Sequence, residues 1–240
     1  MADVAIVRPL VLGVFTLVVC CCWAALGATI IETDGDTGRQ EAGPSPGSDV
    51  TPVTVRIEAV GCGWRTWGSG TLIADDLVIS NRHVVVGTAT VRVAGASSSG
   101  PWYSEATVVG TSPDQDLVLL RLHSAAVVEP AALSPAGFEV GEPVAFGGFP
   151  GRQRISVRSA VVSSRWTMSS PSARGPVWVV SEAGTPGMSG GPVLDADGRL
   201  VGVVFAFEER SRTSLALDAD VIADLVADAH DRTAPIVVPC

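Results

Sequence analysis

Basic residues are scarce in this chain: 16 Lys plus Arg stand against 25 Asp plus Glu, giving a net charge of −9. The positive footprint that a phosphate backbone requires is missing, so nucleic acid is excluded as a partner. Histidine is scarcer still, with three residues in all, His83, His123 and His230. They are dispersed, and the cysteines lack a paired C-x-x-C spacing, so no metal site is expected and no cofactor is called for. Three of the five cysteines form the run Cys20-Cys21-Cys22 inside an apolar stretch, where they read as small filler. Only Cys62 and Cys240 lie outside it. Helical periodicity is rare as well, and that absence excludes a sheet built from βαβ units.

The apolar stretch spans residues 10–31 without a charge, enough to cross about 30 Å of hydrocarbon as a helix. An uncleaved transmembrane anchor is the preferred reading, with a removed signal peptide cut after Ala25-Leu26-Gly27 as the alternative. Arg8 precedes the stretch and assigns residues 1–9 to the cytoplasm as a short stub, with the remainder exported to the extracytoplasmic side of the membrane. Residues 32–52, rich in Gly, Pro, Ser, Thr and acids, have the composition of a disordered tether. Residues 53–230 are expected to form one folded domain, and 231–240 a tail carrying Cys240. Short β-branched and apolar runs recur through the domain, at residues 53–57, 77–79, 91–93, 118–122, 144–146 and 177–180. They predict an all-β sandwich or barrel, with Asp197-Gly198 as a hairpin turn. One helix is expected over residues 221–229, capped by Asp218 or Asp220, and residues 126–143 read as a crossover between two halves.

The strongest chemical signal is Gly184-Thr185-Pro186-Gly187-Met188-Ser189-Gly190-Gly191-Pro192. Glycines on both sides of a serine permit a tight turn that aims backbone N–H groups at one point, as a developing oxyanion requires. Ser189 is the candidate nucleophile, and the Gly187 and Ser189 amides are the candidate oxyanion donors. A serine hydroxyl needs a base and an orienting carboxylate. His83 follows the strand-like Leu77-Val78-Ile79-Ser80 and is the candidate base, whereas His123 and His230 read as solvated. For the carboxylate, Asp116 and Asp114 compete. Strand alternation would put both on one face, so periodicity does not choose between them.

Three separated motifs resemble those of the chymotrypsin-fold (trypsin-like) serine proteases, in particular their bacterial, membrane-anchored actinobacterial branch. Gly68-Ser69-Gly70-Thr71-Leu72-Ile73 followed by Ser80-Asn81-Arg82-His83-Val84-Val85 resembles the GSG strand and TNAHVV box, and Gly187-Met188-Ser189-Gly190-Gly191-Pro192 resembles the GNSGGP loop. Asp114-Gln115-Asp116-Leu117-Val118-Leu119-Leu120 resembles the D-x-DLAVL segment, and that selects Asp116. The resemblance implies two six-stranded antiparallel β-barrels with a C-terminal helix, His83 and Asp116 in the first barrel and Ser189 in the second. It further implies a disulfide between Cys62 and Cys240. It makes Ala183 the floor of the primary specificity pocket, to which Val204 and Phe205 are also assigned. Without a carboxylate at that floor, a small or medium apolar side chain is the expected preference, and the exposed reading is taken for neighbouring Glu182. Two residues depart from the pattern. Arg82 stands where a small residue is usual, with its side chain expected in solvent, and Met188 stands where Asn is usual.

The implied activity is a serine endopeptidase acting on peptide or protein substrates. Two other readings compete with it. The G-x-S-x-G pattern at Ser189 also fits an esterase nucleophile elbow, but Gly191-Pro192 leads into a hairpin rather than a helix, and the order His, Asp, Ser is wrong for that fold. The other alternative is a catalytically silent peptide-binding module that keeps the protease fold at the cell envelope. Nothing in the sequence indicates an oligomeric state.

Overall fold

Several apolar runs lack the in–out alternation of a half-solvated strand, and the structure shows why: both faces of those strands are covered. Residues 48–61, 63–88, 90–152, 154–170, 173–229 and 236 are described in a computed structural model. The apolar stretch at 10–31, Cys62, His230 and Cys240 lie outside the described residues. Among the described residues no helix is long and apolar enough to cross a membrane.

Six strands form the first sheet: β1 (Thr54–Gly61), β2 (Trp64–Ala74), β3 (Leu77–Ser80), β4 (Thr90–Ser97), β5 (Gly100–Thr111) and β6 (Val118–Leu122). They pair antiparallel in the order β1-β2-β3-β6-β5-β4, and the β1–β4 pairing closes the barrel. Six more form the second: β7 (Pro143–Gly148), β8 (Ser156–Ser170), β9 (Ala173–Val180), β10 (Pro192–Leu194), β11 (Leu200–Glu208) and β12 (Thr213–Asp218). Their order, β7-β8-β9-β12-β11-β10, repeats that of the first sheet, and β7–β10 pairing closes it. The Asp197-Gly198 turn joins β10 to β11 as expected; Asp195 Oδ1 accepts hydrogen bonds from the amides of Asp197 and Arg199, and Gly198 takes φ +80°.

Period-2 alternation sends successive side chains to two different cores. In β6, Val118, Leu120 and Leu122 fill the first barrel while Leu119 faces the seam between barrels. In β9, Trp178 and Val180 fill the second barrel while Val177 and Val179 join the same seam. A continuous apolar run is therefore the signature of a strand that serves a barrel interior on one side and the inter-barrel seam on the other. Each such buried Leu or Val contributes about 1.5–3 kcal/mol of apolar transfer free energy.

The expected helix is present as α2 (Ala219–Ala229). Asp218 caps it, its Oδ1 accepting the amide of Asp220, and Ile222, Leu225 and Ala229 are buried. Although it follows the second barrel, α2 returns to the first: a methyl on Gly110 of β5 would meet Ala229 and Leu225 at 3.2 Å. Ile236 continues in that direction, donating its amide to the Val108 carbonyl at 2.8 Å. Residues 48–52 are part of the fold. Val50, inside the stretch expected to be tether, is fully buried in the seam, where β7 admits it at Gly147; Ser48 Oγ donates to the Ala196 carbonyl. One apolar side chain in a polar segment found a slot that composition alone does not reveal.

Candidate active site

His83 does not sit at a strand end. β3 stops at Ser80, Asn81 takes an extended N-cap conformation, and His83 lies in a one-turn helix, α1 (Arg82–Val85). Val84 and Val85 anchor that turn in the first barrel. Gly68 of β2 makes the anchoring possible, because a methyl there would stand 2.6 Å from the Val84 side chain. Burying the two valines leaves the intervening face of the turn outward, and the His83 side chain is 48% exposed.

Asp116 is buried and grips His83 at two points. Its Oδ1 accepts the His83 backbone amide at 3.0 Å and its Oδ2 engages ring Nδ1. A carboxylate only accepts, so the ring proton belongs on Nδ1 and the lone pair on Nε2. The loop carrying Asp116 is itself held. Asn81 Nδ2 donates to the Asp116 carbonyl at 2.8 Å, the Ser112 amide to Leu117 O at 3.1 Å, and the Gln115 amide to Ser112 Oγ at 3.1 Å. Residues 112–117 form a bend between β5 and β6 rather than a continuous strand. The alternation that would have put Asp114 and Asp116 on one face therefore does not apply: Asp114 is exposed and lies 3.7 Å from Arg174. Arg82 also departs from expectation. It is half-buried, and its guanidinium donates to the Ser112 carbonyl at 3.1 Å instead of extending into solvent.

Ser189 reaches this corner from the second barrel because Gly190 lets backbone meet backbone across the seam. The Ser69 amide donates to the Ser189 carbonyl at 2.9 Å and Thr71 Oγ1 to the Gly190 carbonyl at 3.1 Å. A methyl on Gly190 would lie 2.2 Å from Ser69 O and 2.5 Å from Ser80 Oγ, so the loop rests directly on β2 and on the end of β3, three residues before His83. Gly187, at φ +100°, is packed against Phe149 O and Gly151 N. The Pro186 carbonyl accepts from Gly151 N at 3.2 Å and the Met188 carbonyl from Gly191 N at 3.0 Å. In trans peptides these carbonyls turn the Gly187 and Ser189 N–H groups the opposite way, and neither amide donates to any group among the described residues. Among the described residues no hydrogen bond joins Ser189 Oγ to His83 Nε2; catalytic hydrogen bonds in substrate-free active sites are often long and tighten only in the complex. Met188 is buried among Phe146, Val193 and Val204, so the residue replacing Asn serves the second barrel's core.

The residues assigned to the specificity pocket spread over two environments. Ala183 is half-buried and flanked by two contacts to one hydroxyl: Ser214 Oγ accepts from Gly184 N at 2.7 Å and donates to Glu182 O at 2.8 Å. Val204 packs with Met188 inside the second barrel, and its backbone pairs with Gly190 and Gly191, whereas Phe205, one residue on, faces the seam. Glu182 is half-buried. His123 is exposed, its Nε2 2.8 Å from Thr107 Oγ1. Among the described residues no cluster of His, Cys, Asp or Glu has the grouping of a metal site. Sequence reasoning missed Ser214 and the inter-barrel role of Ser69; a lone serine in a strand carries no signal of either.

The chain is 30% identical over 184 residues to the serine protease Rv3671c of Mycobacterium tuberculosis, covering 73% of this chain and 45% of that protein. It is 28% identical over 169 residues to a probable periplasmic DegP-like serine endoprotease of Pseudomonas fulva, covering 70% and 35%. It thus spans less than half the length of these relatives. The crystal structure of the Rv3671c protease from M. tuberculosis in its active form superimposes with a TM-score of 0.71 at 25% identity, covering 87% of this chain and 99% of that one. The trypsin-like peptidase domain profile matches residues 68–203. Because that stretch runs from within β2 of the first barrel into β11 of the second, it covers most strands of both barrels, and the chain belongs to the family of trypsin-like peptidase domains.

Proposed function

We propose that this protein is a serine endopeptidase in which Ser189 is the nucleophile, His83 the general base and then acid, and Asp116 the group that orients His83. The observation that carries the reading is the two-point grip of buried Asp116 on His83, which fixes the ring with Nε2 free. Ser189 Oγ attacks the scissile carbonyl as its proton passes to Nε2. The oxygen that gains charge accepts from the Gly187 and Ser189 amides. Collapse of the adduct expels the amine, protonated from Nε2, and leaves an acyl-Ser189 that water hydrolyses by the same route in reverse.

The substrate is a peptide or protein whose side chain before the scissile bond is small or medium and apolar. Ala183, held by the Ser214 hydroxyl on either side, offers no charge to offset the desolvation of Lys or Arg. The catalytic domain is extracytoplasmic, as the similarity to a probable periplasmic endoprotease supports, and the uncharged run at 10–31 is proposed as its tether. Labelling of the full chain by a fluorophosphonate probe, lost in Ser189→Ala with the fold intact, is the expected result. Failure of folded wild-type protein to label or to cleave any member of a peptide library would favour the silent binding module instead.

A further inference from the structure

The groups that must act together are divided between two bodies: His83 and Asp116 belong to the first barrel and Ser189 to the second. Their relative placement depends on contacts that cross the seam. One set lies beside the nucleophile, where Ser69 and Thr71 of β2 bind the 187–190 loop. A second set lies at the far side of the Asp116 loop and involves the tip of the β8–β9 hairpin, which reaches out of the second barrel. There the Arg174 amide donates to the Asp114 carbonyl at 2.8 Å, and Gln115 forms an isolated antiparallel bridge with Ala173. Gln115 Nε2 donates to the Arg174 carbonyl at 2.7 Å. Gln115 is 4% exposed, so its amide is a buried contact rather than a surface one, and Gly175, at φ +109°, leaves room for it at the hairpin.

We infer that Gln115 is a positioning residue, through which the β8–β9 hairpin of the second barrel straps the Asp116 loop and holds the carboxylate in register with the nucleophile on that same barrel. The inference rests on the triad assignment made above. Gln115 immediately precedes Asp116, so any drift of its side chain is transmitted to the carboxylate through one peptide unit. A displacement of about 1 Å at such a group costs on the order of 10²-fold in rate. Loss of a single strap contact, with Asn81 and Ser112 still holding the loop, is expected to cost about tenfold. The exposed Arg174–Asp114 ion pair contributes little, because both side chains are largely in solvent.

The test compares the full-length wild type with Gln115→Met, which keeps volume and removes the donor, and Gln115→Asn, which stays polar but is one methylene too short to reach Arg174. Arg174→Ala, which leaves the strap's backbone contacts in place, and Ser189→Ala complete the set. Steady-state hydrolysis is read together with the low-field proton resonance of the His83 Nδ1–H. Both Gln115 variants should lose about tenfold in kcat with KM within about twofold, and the His83 resonance should shift and broaden. Arg174→Ala should stay within about twofold of wild type in kcat. A merely structural role would lower the unfolding midpoint and leave kcat and the resonance of the folded fraction unchanged; that result overturns the inference. If Ser189→Ala still hydrolyses substrate, the triad reading itself has failed, and the two failures are thereby distinguished.

Discussion

The oxyanion assignment is most sharply tested at Gly187. A methyl group there would lie 2.5 Å from Phe149 O, 2.9 Å from Gly151 N and 3.2 Å from Pro150 Cα. All three are backbone atoms, so no side chain can rotate away. Non-bonded heavy atoms settle at about 3.5–4.0 Å, and relief of the contact therefore needs a shift of roughly 1 Å in one loop or the other. The shift falls on the peptide whose N–H is the proposed oxyanion donor. Losing one such donor costs about 10²–10³ in kcat, or about 2.7–4 kcal/mol of transition-state stabilisation. Gly187→Ala should lose activity in that range, with KM changed far less. The left-handed φ of +100° adds about 1–2 kcal/mol of folding cost. Gly141→Ala separates the two effects: its φ is +91° and nothing lies within 4 Å of an added methyl, so it carries the backbone cost without the clash. It should be less stable in urea yet keep wild-type kcat. A folded Gly187→Ala that retained kcat within about threefold would refute the assignment of its amide to the oxyanion.

Asp116→Asn should lower kcat by roughly 10³–10⁴, because the amide no longer fixes the Nδ1–H tautomer, whereas Asp114→Asn should stay within about twofold in the same assay. Glu142 lines an acidic cleft with Glu139, Asp195 and Asp197; burial first, then those three charges, raise its pKa above the ordinary 4.5, against the lowering effect of the Glu139 amide it accepts. Its charged form is thus disfavoured in the fold, and the stability it lends is full below pH 4.5 and lost as pH rises through the raised value. Glu142→Gln should therefore unfold at higher urea than wild type at pH 7, with the gap closing below pH 4.5. Peptide mapping of the exported protein without reductant should recover Cys62 linked to Cys240; free thiols at both would refute the pairing. Ile236, four residues before Cys240, lies on β5 of the first barrel, which is consistent with that link.

What the sequence made legible were features written locally. The six apolar runs, the Asp197-Gly198 turn and the amphipathic stretch of α2 each follow from short-range periodicity or turn chemistry. The repeated strand order of the two barrels was not legible, because topology constrains which strands pair and leaves side-chain identity free so long as both faces stay apolar. The α1 turn was missed for a different reason: four residues, two of them valine, carry too little periodicity to announce a helix. Asp114 and Asp116 illustrate a third kind of limit. Alternation assumes extended backbone, and the bend at 112–117 is held by Asn81, Arg82, Ser112 and the β8–β9 hairpin through side-chain contacts up to 59 residues apart in the chain.

Dependence on distant partners also made the glycines of the site informative as a motif and opaque as individuals. Gly68 accepts Val84, Gly190 accepts the backbone of Ser69 and the hydroxyl of Ser80, and Gly191 accepts the Gly147 carbonyl. Each makes room for a partner distant in sequence, so the reason for each is visible only once the chain is folded. Gly68 acts within the first barrel and Gly191 within the second, while Gly190 brings the second barrel's loop against β2 and the end of β3 at backbone distance. A side chain at Gly190 would separate the barrels at the point where the proposed nucleophile on one must meet the proposed base on the other. The site is for this reason a property of the seam more than of either barrel, and substitutions that widen the seam should reduce turnover before they unfold the protein.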